Sequence, residues 1–185
     1  MSKTEPLEMQ IRFAGSGGQG LILSARILAA ALAGEGRFVA QSQAYEPTSR
    51  GGLSRSDLVI SEREVDYPLV TALDVAVILD QVAVPACAGL LGRQTLTIID
   101  AGKVTAPPEE PQTIHALPIT ETARALGNPR VANITALGAL AELAGLIAPQ
   151  TLRARMLKLV PARFRDINAE AFDAGQALAK AAEKV

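Results

Sequence analysis

At 185 residues, with 18 basic and 19 acidic side chains and a formal net charge of -1, the chain carries neither a basic stripe for nucleic acid nor an acidic tail. Its single cysteine, Cys87, excludes an internal disulfide framework and a self-held iron–sulfur cluster, which takes about four thiolates, and fits a reducing compartment. The N-terminal MSKTEPLEMQ lacks the apolar core of a signal peptide and no apolar run approaches the roughly 18 residues of a membrane span, so a soluble, cytoplasmic protein is expected.

In chain order, residues 9 to 15 read as a first strand that runs into Gly15-Ser16-Gly17-Gly18-Gln19-Gly20 and then into a helix over 20 to 33. That helix is apolar almost all round, interrupted only by Ser24 and Arg26, which predicts burial on more than one side. Strands follow at 38 to 45 and 53 to 61, separated by the loop Glu46-Pro47-Thr48-Ser49-Arg50-Gly51-Gly52. The continuous apolar run DVAVILD, 74 to 80, is the pattern of a fully buried parallel strand. A short helix at 81 to 91 and a strand ending at Asp100 come next. The three prolines of 102 to 112 predict a surface loop, and residues 113 to 117 an edge strand. Helices are then expected over 119 to 127, 133 to 147, 148 to 160 and 167 to 185.

This rhythm predicts an α/β fold: one Rossmann-like domain over 1 to 185, with a mainly parallel sheet covered by helices, a helical C-terminal third and a flexible N-terminus at 1 to 8. Hydrophobic residues make up 49% of the chain but aromatic ones only 3%, so the apolar content is largely Ala, Leu, Val and Ile. Such a composition suits close helix packing, and also apolar surface that partner chains cover.

A strand–GxGxxG–helix sequence is the context in which glycines let an anion approach the backbone and the free N–H groups of the helix start attract phosphate. Gly17, Gly18 and Gly20 are the candidate cradle, with Ser16 and Gln19 as candidate side-chain donors. A tight strand-to-helix turn without ligand would use the same glycines. A nicotinamide dinucleotide would call for a carboxylate at the end of the second strand to hold the ribose. That strand ends QSQAY, and Glu46 lies in the proline loop, so the NAD pattern is incomplete, FAD fails likewise, and GK[ST] is absent. Arg50 beside Gly51 could fork onto a phosphate or carboxylate, or stand as an exposed arginine on a turn. Asp80 and Asp100, at strand ends, are expected to cap the turns that follow.

The lone His115 is distant in sequence from Cys87, and neither GxSxG nor a metal-ligand cluster is present, so no nucleophile site or zinc site is expected and no residue is assigned a catalytic role. Cys87, with no basic neighbour in sequence, is expected to be a small buried apolar residue, and His115 a half-buried strand residue.

Four stretches in order, 9 to 31 (MQIRFAGSGGQGLILSARILAAA), 43 to 61 (QAYEPTSRGGLSRSDLVIS), the turn Val65-Asp66-Tyr67-Pro68-x-Val70, and 133 to 147 (NITALGALAELAGLI), resemble the γ subunit of the 2-oxoacid:ferredoxin oxidoreductases. The resemblance spans roughly residues 9 to 180. It implies a subunit that helps bind coenzyme A, through Ser16, Gly17, Gly18, Gln19, Gly20, Arg50 and Gly51, while thiamine diphosphate with magnesium and 4Fe–4S clusters sit in α, β and δ-type partners. The implied reaction is oxidative decarboxylation of a 2-oxoacid to an acyl-CoA, with electrons passing to ferredoxin or, through a further subunit, to NAD. The family's second loop reads Tyr-Gly-Pro-Glu-x-Arg-Gly-Gly; this chain keeps Tyr45, Pro47, Arg50, Gly51 and Gly52 but has Glu46 and Thr48. The loop resembles the 2-oxoglutarate branch, and its departures would suit an aryl-oxoacid member such as phenylglyoxylate dehydrogenase. Two alternatives remain at this stage: an independent nucleotide-binding dehydrogenase, and a scaffold whose glycine turn is empty.

Overall fold

A computed structural model describes residues 8–46, 51–111 and 113–182. Its six strands, β1 (Glu8–Ser16), β2 (Phe38–Tyr45), β3 (Leu53–Ser61), β4 (Leu73–Ile78), β5 (Leu91–Asp100) and β6 (Ile114–Leu117), form one sheet in the order β2-β3-β1-β4-β5-β6. β1, β4, β5 and β6 pair in parallel, whereas β3 is antiparallel to both β1 and β2. Every strand but β3 therefore points the same way, and the mainly parallel α/β expectation holds. One departure from a Rossmann order follows from the connections. The segment 46 to 52 is far shorter than the dozen or so residues of a parallel crossover, so β2 and β3 are antiparallel neighbours, and it is β3 that pairs with β1.

Side chains alternate across the sheet. Ile11, Phe13, Leu58, Val75, Val77 and Ile98 face one side, where they join the buried residues of helices α1 (Leu21–Gly34), α3 (Ile119–Ala125), α4 (Ala132–Ala144), α5 (Pro149–Leu159) and α6 (Arg165–Ala182). The expected buried helix is α1: Leu21, Ile27, Leu28 and Leu32 are all buried, each side chain worth about 1.5–3 kcal/mol of transfer free energy. The opposite face is covered more thinly, by a 3-10 turn (Gln81–Ala83), the short helix α2 (Val84–Ala88) and Val104. Both faces of the sheet are thus covered by helix, one by five helices and the other by the 3-10 turn and α2 alone. On β1 and β3 that second face carries the buried pair Arg12 and Asp57, which α2 covers through the Ala86 carbonyl.

The helix expected over 81 to 91 stops at Gly89, and β5 starts at Leu91, with a register irregularity between the Leu73–Leu91 and Val75–Leu96 pairs. In the C-terminal third, α4 and α6 approach until glycine is required. A Cβ on Gly138 would lie 2.1 Å from the carbonyl oxygen of Phe172, and one on Gly175 would lie 1.9 Å from that of Thr135. The NITALGALAELAGLI stretch is therefore a packing signature as much as a functional one.

The flexible N-terminus expected at 1 to 8 lies outside the described residues, apart from Glu8, which opens β1. Among the described residues no helix is long and apolar enough to cross a membrane.

Candidate functional site

Because β1, β4, β5 and β6 are parallel, their carboxyl ends share one edge, and the chain leaves β1 and β4 toward opposite sides of the sheet, the arrangement that opens a crevice. The glycine loop after β1, Asp80 after β4, Asp100 after β5 and the start of α3 after β6 all lie along that edge. The second loop joins them, since the Gly17 N–H donates to the Gly52 carbonyl at 2.9 Å. The two motifs that were separate in the sequence are thus neighbours.

The loop is held by its own residues. Gln19 Oε1 accepts from the Ser16 N–H at 2.7 Å, and Gln19 Nε2 donates to the Leu79 carbonyl at 3.0 Å, stitching the loop to the end of β4. Ser16 Oγ donates to Asp80 Oδ2 at 3.2 Å. Ser16 and Gln19 are therefore braces in this structure, not the outward side-chain donors expected, because their partners lie inside the turn. The donors left are backbone: the N–H groups of Gly18, Gly20, Leu21 and Ile22 have no acceptor among the described residues, as the first turn of a helix requires. Gly18 and Gly20 sit at φ +94 and +74, which favours glycine. Gly17 differs, being exposed and without a positive φ, so its missing side chain keeps space open rather than relieving strain.

Asn133, which sequence reasoning used only as part of a motif, fixes the exit of the loop. Its buried Nδ2 donates to the Gly20 carbonyl at 3.1 Å and to Ser24 Oγ at 3.2 Å, and Ser24 Oγ donates to the Asn133 carbonyl at 3.2 Å. A Cβ on Gly20 would lie 2.6 Å from Asn133 Nδ2. An asparagine opening a helix next to a glycine loop is the signal that could have found it.

In the second loop, Gly51 is exposed at φ +81, and Arg50 lies outside the described residues. Glu46 closes the hairpin: its N–H donates to the Leu53 carbonyl at 2.9 Å and its Oε2 accepts from the Leu53 N–H at 3.2 Å. This carboxylate is committed to the turn, and β3 stands between its strand and β1, so the ribose-binding position of a dinucleotide site is unfilled on two counts. Asp80 accepts from the Val82 N–H at 3.2 Å, as a turn cap should. Asp100 is buried, accepting from the N–H groups of Gly102 and Thr120 and from Thr120 Oγ1. Sequence order also hid a recess of about 230 Å³ beside Gly18 and Gln19 into which Lys103, Arg124 and Arg130 converge.

The expectations for Cys87 and His115 hold in burial: the thiol is fully buried and His115 is half-buried on β6. One detail needs correction. Cys87 does have a basic neighbour, Arg12, which the fold brings from β1. The buried Arg12 forms a two-pronged pair with Asp57, Nε and Nη2 each 2.7 Å from a carboxylate oxygen, and donates through Nη1 to the Ala86 carbonyl at 2.5 Å. Burial raises the Cys87 pKa above its ordinary value and outweighs the lowering by Arg12, so the thiol stays protonated. For Arg12, burial lowers the pKa, but the hydrogen bond and charge of Asp57 more than offset it and the net shift is upward. Among the described residues no group of three His, Cys, Asp or Glu could hold a metal ion.

This glycine cradle, on a sheet with one antiparallel strand inserted beside β1, has relatives. Residues 10–178 match the model of the family described as pyruvate ferredoxin/flavodoxin oxidoreductase. The chain belongs to that family. It is 39% identical over 142 residues to the 2-oxoglutarate synthase subunit KorC of Archaeoglobus fulgidus, covering 76% of this chain and 73% of that one. It superposes with a TM-score of 0.86 and 36% identity on the keto/oxoacid ferredoxin oxidoreductase γ subunit of Geobacter sulfurreducens, covering 95% of this chain and 98% of that one. A 2-oxoglutarate:ferredoxin oxidoreductase of Magnetococcus marinus, solved with 2-oxoglutarate, coenzyme A and succinyl-CoA bound, matches 94% of this chain over 31% of its own at 30% identity, with a TM-score of 0.81. In that protein the matching part belongs to a longer polypeptide. The γ-subunit resemblance drawn from the four motifs is borne out, and with it membership of an oxidoreductase complex.

Proposed function

We propose that the glycine loop of this chain binds the diphosphate of coenzyme A within a 2-oxoglutarate:ferredoxin oxidoreductase of the cytoplasm. The observation that carries this reading is the set of N–H groups at Gly18, Gly20, Leu21 and Ile22 that have no acceptor among the described residues, at the start of a 14-residue helix and beside the exposed Gly17. Gly51, and Arg50 as the charged partner on the second loop, complete the proposed contact set with Ser16 and Gln19 holding the loop in shape. The overall change is a 2-oxoacid anion plus the coenzyme A thiol giving acyl-CoA, carbon dioxide, a proton and two electrons. Thiamine diphosphate with magnesium, in the partner subunits, supplies the decarboxylation, and 4Fe–4S clusters, also in partners, carry the electrons.

This chain's residues fit the coenzyme and not the clusters. One buried cysteine cannot supply the thiolates of a cluster, whereas a phosphate needs only donors and space, both present. The partners proposed are α and β subunits and a δ-type iron–sulfur subunit. 2-Oxoglutarate is favoured by the similarity to the 2-oxoglutarate synthase subunits. An aryl oxoacid with NAD as final acceptor is the second reading, favoured by Glu46, whose tie to Leu53 gives the second loop its own closure.

Purifying the native complex through this chain and assaying thiamine, iron and CoA-dependent oxidation across a panel of 2-oxoacids tests the reading. Thiamine and iron with a preference for 2-oxoglutarate is the expected result. Phenylglyoxylate oxidation coupled to NAD would move the assignment to the aryl branch, and absence of thiamine and iron would overturn it.

A further inference from the structure

Three cations ring the recess beside the glycine loop, and none of its lining residues is a carboxylate. Lys103 comes from the turn after β5, Arg124 from the last turn of α3, and Arg130 from the 3-10 turn Pro129–Val131 that leads into α4. All three side chains belong to exposed residues, and none forms an ion pair among the described residues. What sets them apart from other surface cations unpaired among the described residues, such as Arg26 and Arg63, is that three of them line one recess. Gathering like charges about one concavity costs self-repulsion that an anionic occupant would relieve. Asp100, the nearest buried carboxylate, makes no ion pair with them; its oxygens accept from Thr120 and Gly102.

Size and neighbours narrow the occupant. At about 230 Å³ the recess falls below the roughly 300–1,000 Å³ of sites that enclose whole small molecules, so it suits a single charged group of a larger ligand. Gly18 and Gln19 form part of its wall, so that ligand also passes the glycine loop. Arg130 is shared with a second recess, about 370 Å³, whose walls include Leu23, Val160, Pro161 and Phe164, an apolar setting for a base. The loop N–H groups match a diphosphate, whose phosphates are diesters with one ionisation each. A phosphomonoester carries about -1.5 to -2 charge at pH 7 and calls for side-chain cations instead. We propose that Lys103, Arg124 and Arg130 hold the 3′-phosphate of coenzyme A, making this chain the element that selects CoA over dephospho-CoA. The proposal rests on the reading that the glycine loop binds the diphosphate.

The test uses the native complex with Lys103→Gln, Arg124→Gln and Arg130→Gln, singly and together. The readout is the ratio of kcat/KM for CoA to that for dephospho-CoA, with inhibition by adenosine 3′,5′-bisphosphate, AMP and inorganic phosphate. Each single change is expected to lower the ratio roughly fivefold to tenfold, and the triple change about a hundredfold or more, as charge-assisted hydrogen bonds are removed. Adenosine 3′,5′-bisphosphate should inhibit the wild-type complex better than AMP, and that advantage should vanish in the triple variant. An unchanged ratio, or equal losses on both substrates, overturns the proposal. Competition by inorganic phosphate as strong as that by the bisphosphate also overturns it, marking a free-phosphate site. If the triple variant does not assemble, the single variants decide. A Gly17→Val complex separates the two levels: weakened CoA binding there with an intact ratio in the cation variants sinks only the 3′-phosphate assignment, whereas unaltered CoA binding sinks the diphosphate reading as well.

Discussion

Replacing Asp57 by alanine leaves the Arg12 guanidinium buried among Ala86, Cys87 and the centre of the sheet without its carboxylate. Arg12 is 1% exposed and Asp57 5%, and both forks of the pair are 2.7 Å long, so the pair is desolvated, unlike the exposed Arg153–Asp173 pair of similar geometry. Removing one partner of a buried pair costs about 3–5 kcal/mol, against roughly 0–1 kcal/mol for an exposed one. For a chain of this size, about 2–4 °C per kcal/mol predicts a Tm lower by roughly 6–20 °C. Urea unfolding followed by circular dichroism should show the midpoint falling with the slope unchanged. A double variant, Arg12→Met with Asp57→Leu, replaces both charges by apolar volume. It should recover part of the loss, falling short by about the 1.5–3 kcal/mol of the charged Arg12–Ala86 hydrogen bond. The sign of the pH dependence is also fixed. A raised folded-state pKa for Arg12 means its contribution is fully present below its ordinary value and lost only as pH rises beyond it, so the cost of Asp57→Ala should be flat between about pH 6 and pH 9. A loss under about 1 kcal/mol, equal to that of Asp173→Ala, would refute the buried pair as a structural element.

Gly175→Ala should destabilise by at least about 1–3 kcal/mol in the same denaturation assay, because its Cβ meets the Thr135 backbone and α4 and α6 must separate. Cys87, with its pKa raised by burial, contributes stability that is present below its ordinary value of 9.0 and declines as pH rises above it; Cys87→Ala should flatten that alkaline loss, and thiol labelling of the native chain should be slow until denaturant is added. Asn133→Ala frees the Gly20 carbonyl and Ser24 hydroxyl and is expected to cost about 1–3 kcal/mol and to loosen the glycine loop, read as faster amide exchange over 16–22.

Most strands were legible in the sequence because buried parallel strands are continuous apolar runs. DVAVILD became β4 and TIID the end of β5, within two or three residues. The order of strands was not legible. The length of 46 to 52 makes β2 and β3 a hairpin, but nothing in FVAQSQAY says that β3 and not β2 will pair with β1. The glycine loop was found by its context, yet the roles inside it were reversed. Gln19 looked like an outward donor and proved to be an inward brace, because Leu79, its acceptor, is 60 residues away in sequence and adjacent in space. The same blindness hid Arg12 from Cys87, and hid Lys103, Arg124 and Arg130 from one another. Each is an ordinary surface cation in sequence, and only the shared edge of β5, β6 and α4 makes them neighbours. The C-terminal helices were legible as helices, but the need for Gly138 and Gly175 appears only when α4 and α6 are packed.

The claim that matters most is that the glycine loop is a coenzyme A cradle, and Gly17→Val addresses it most directly. Gly17 does not have a positive φ, and among the described residues a Cβ there would meet only the Gly52 carbonyl, at 3.7 Å, so a side chain at this position projects into the cradle. Calorimetric titration of coenzyme A into the assembled complex, with thiamine and iron contents measured alongside, gives the answer. The account predicts a Kd weakened by at least about tenfold, close to 1.4 kcal/mol, in a complex that keeps its thiamine and iron. Coenzyme A binding of wild-type strength to that intact complex would contradict it.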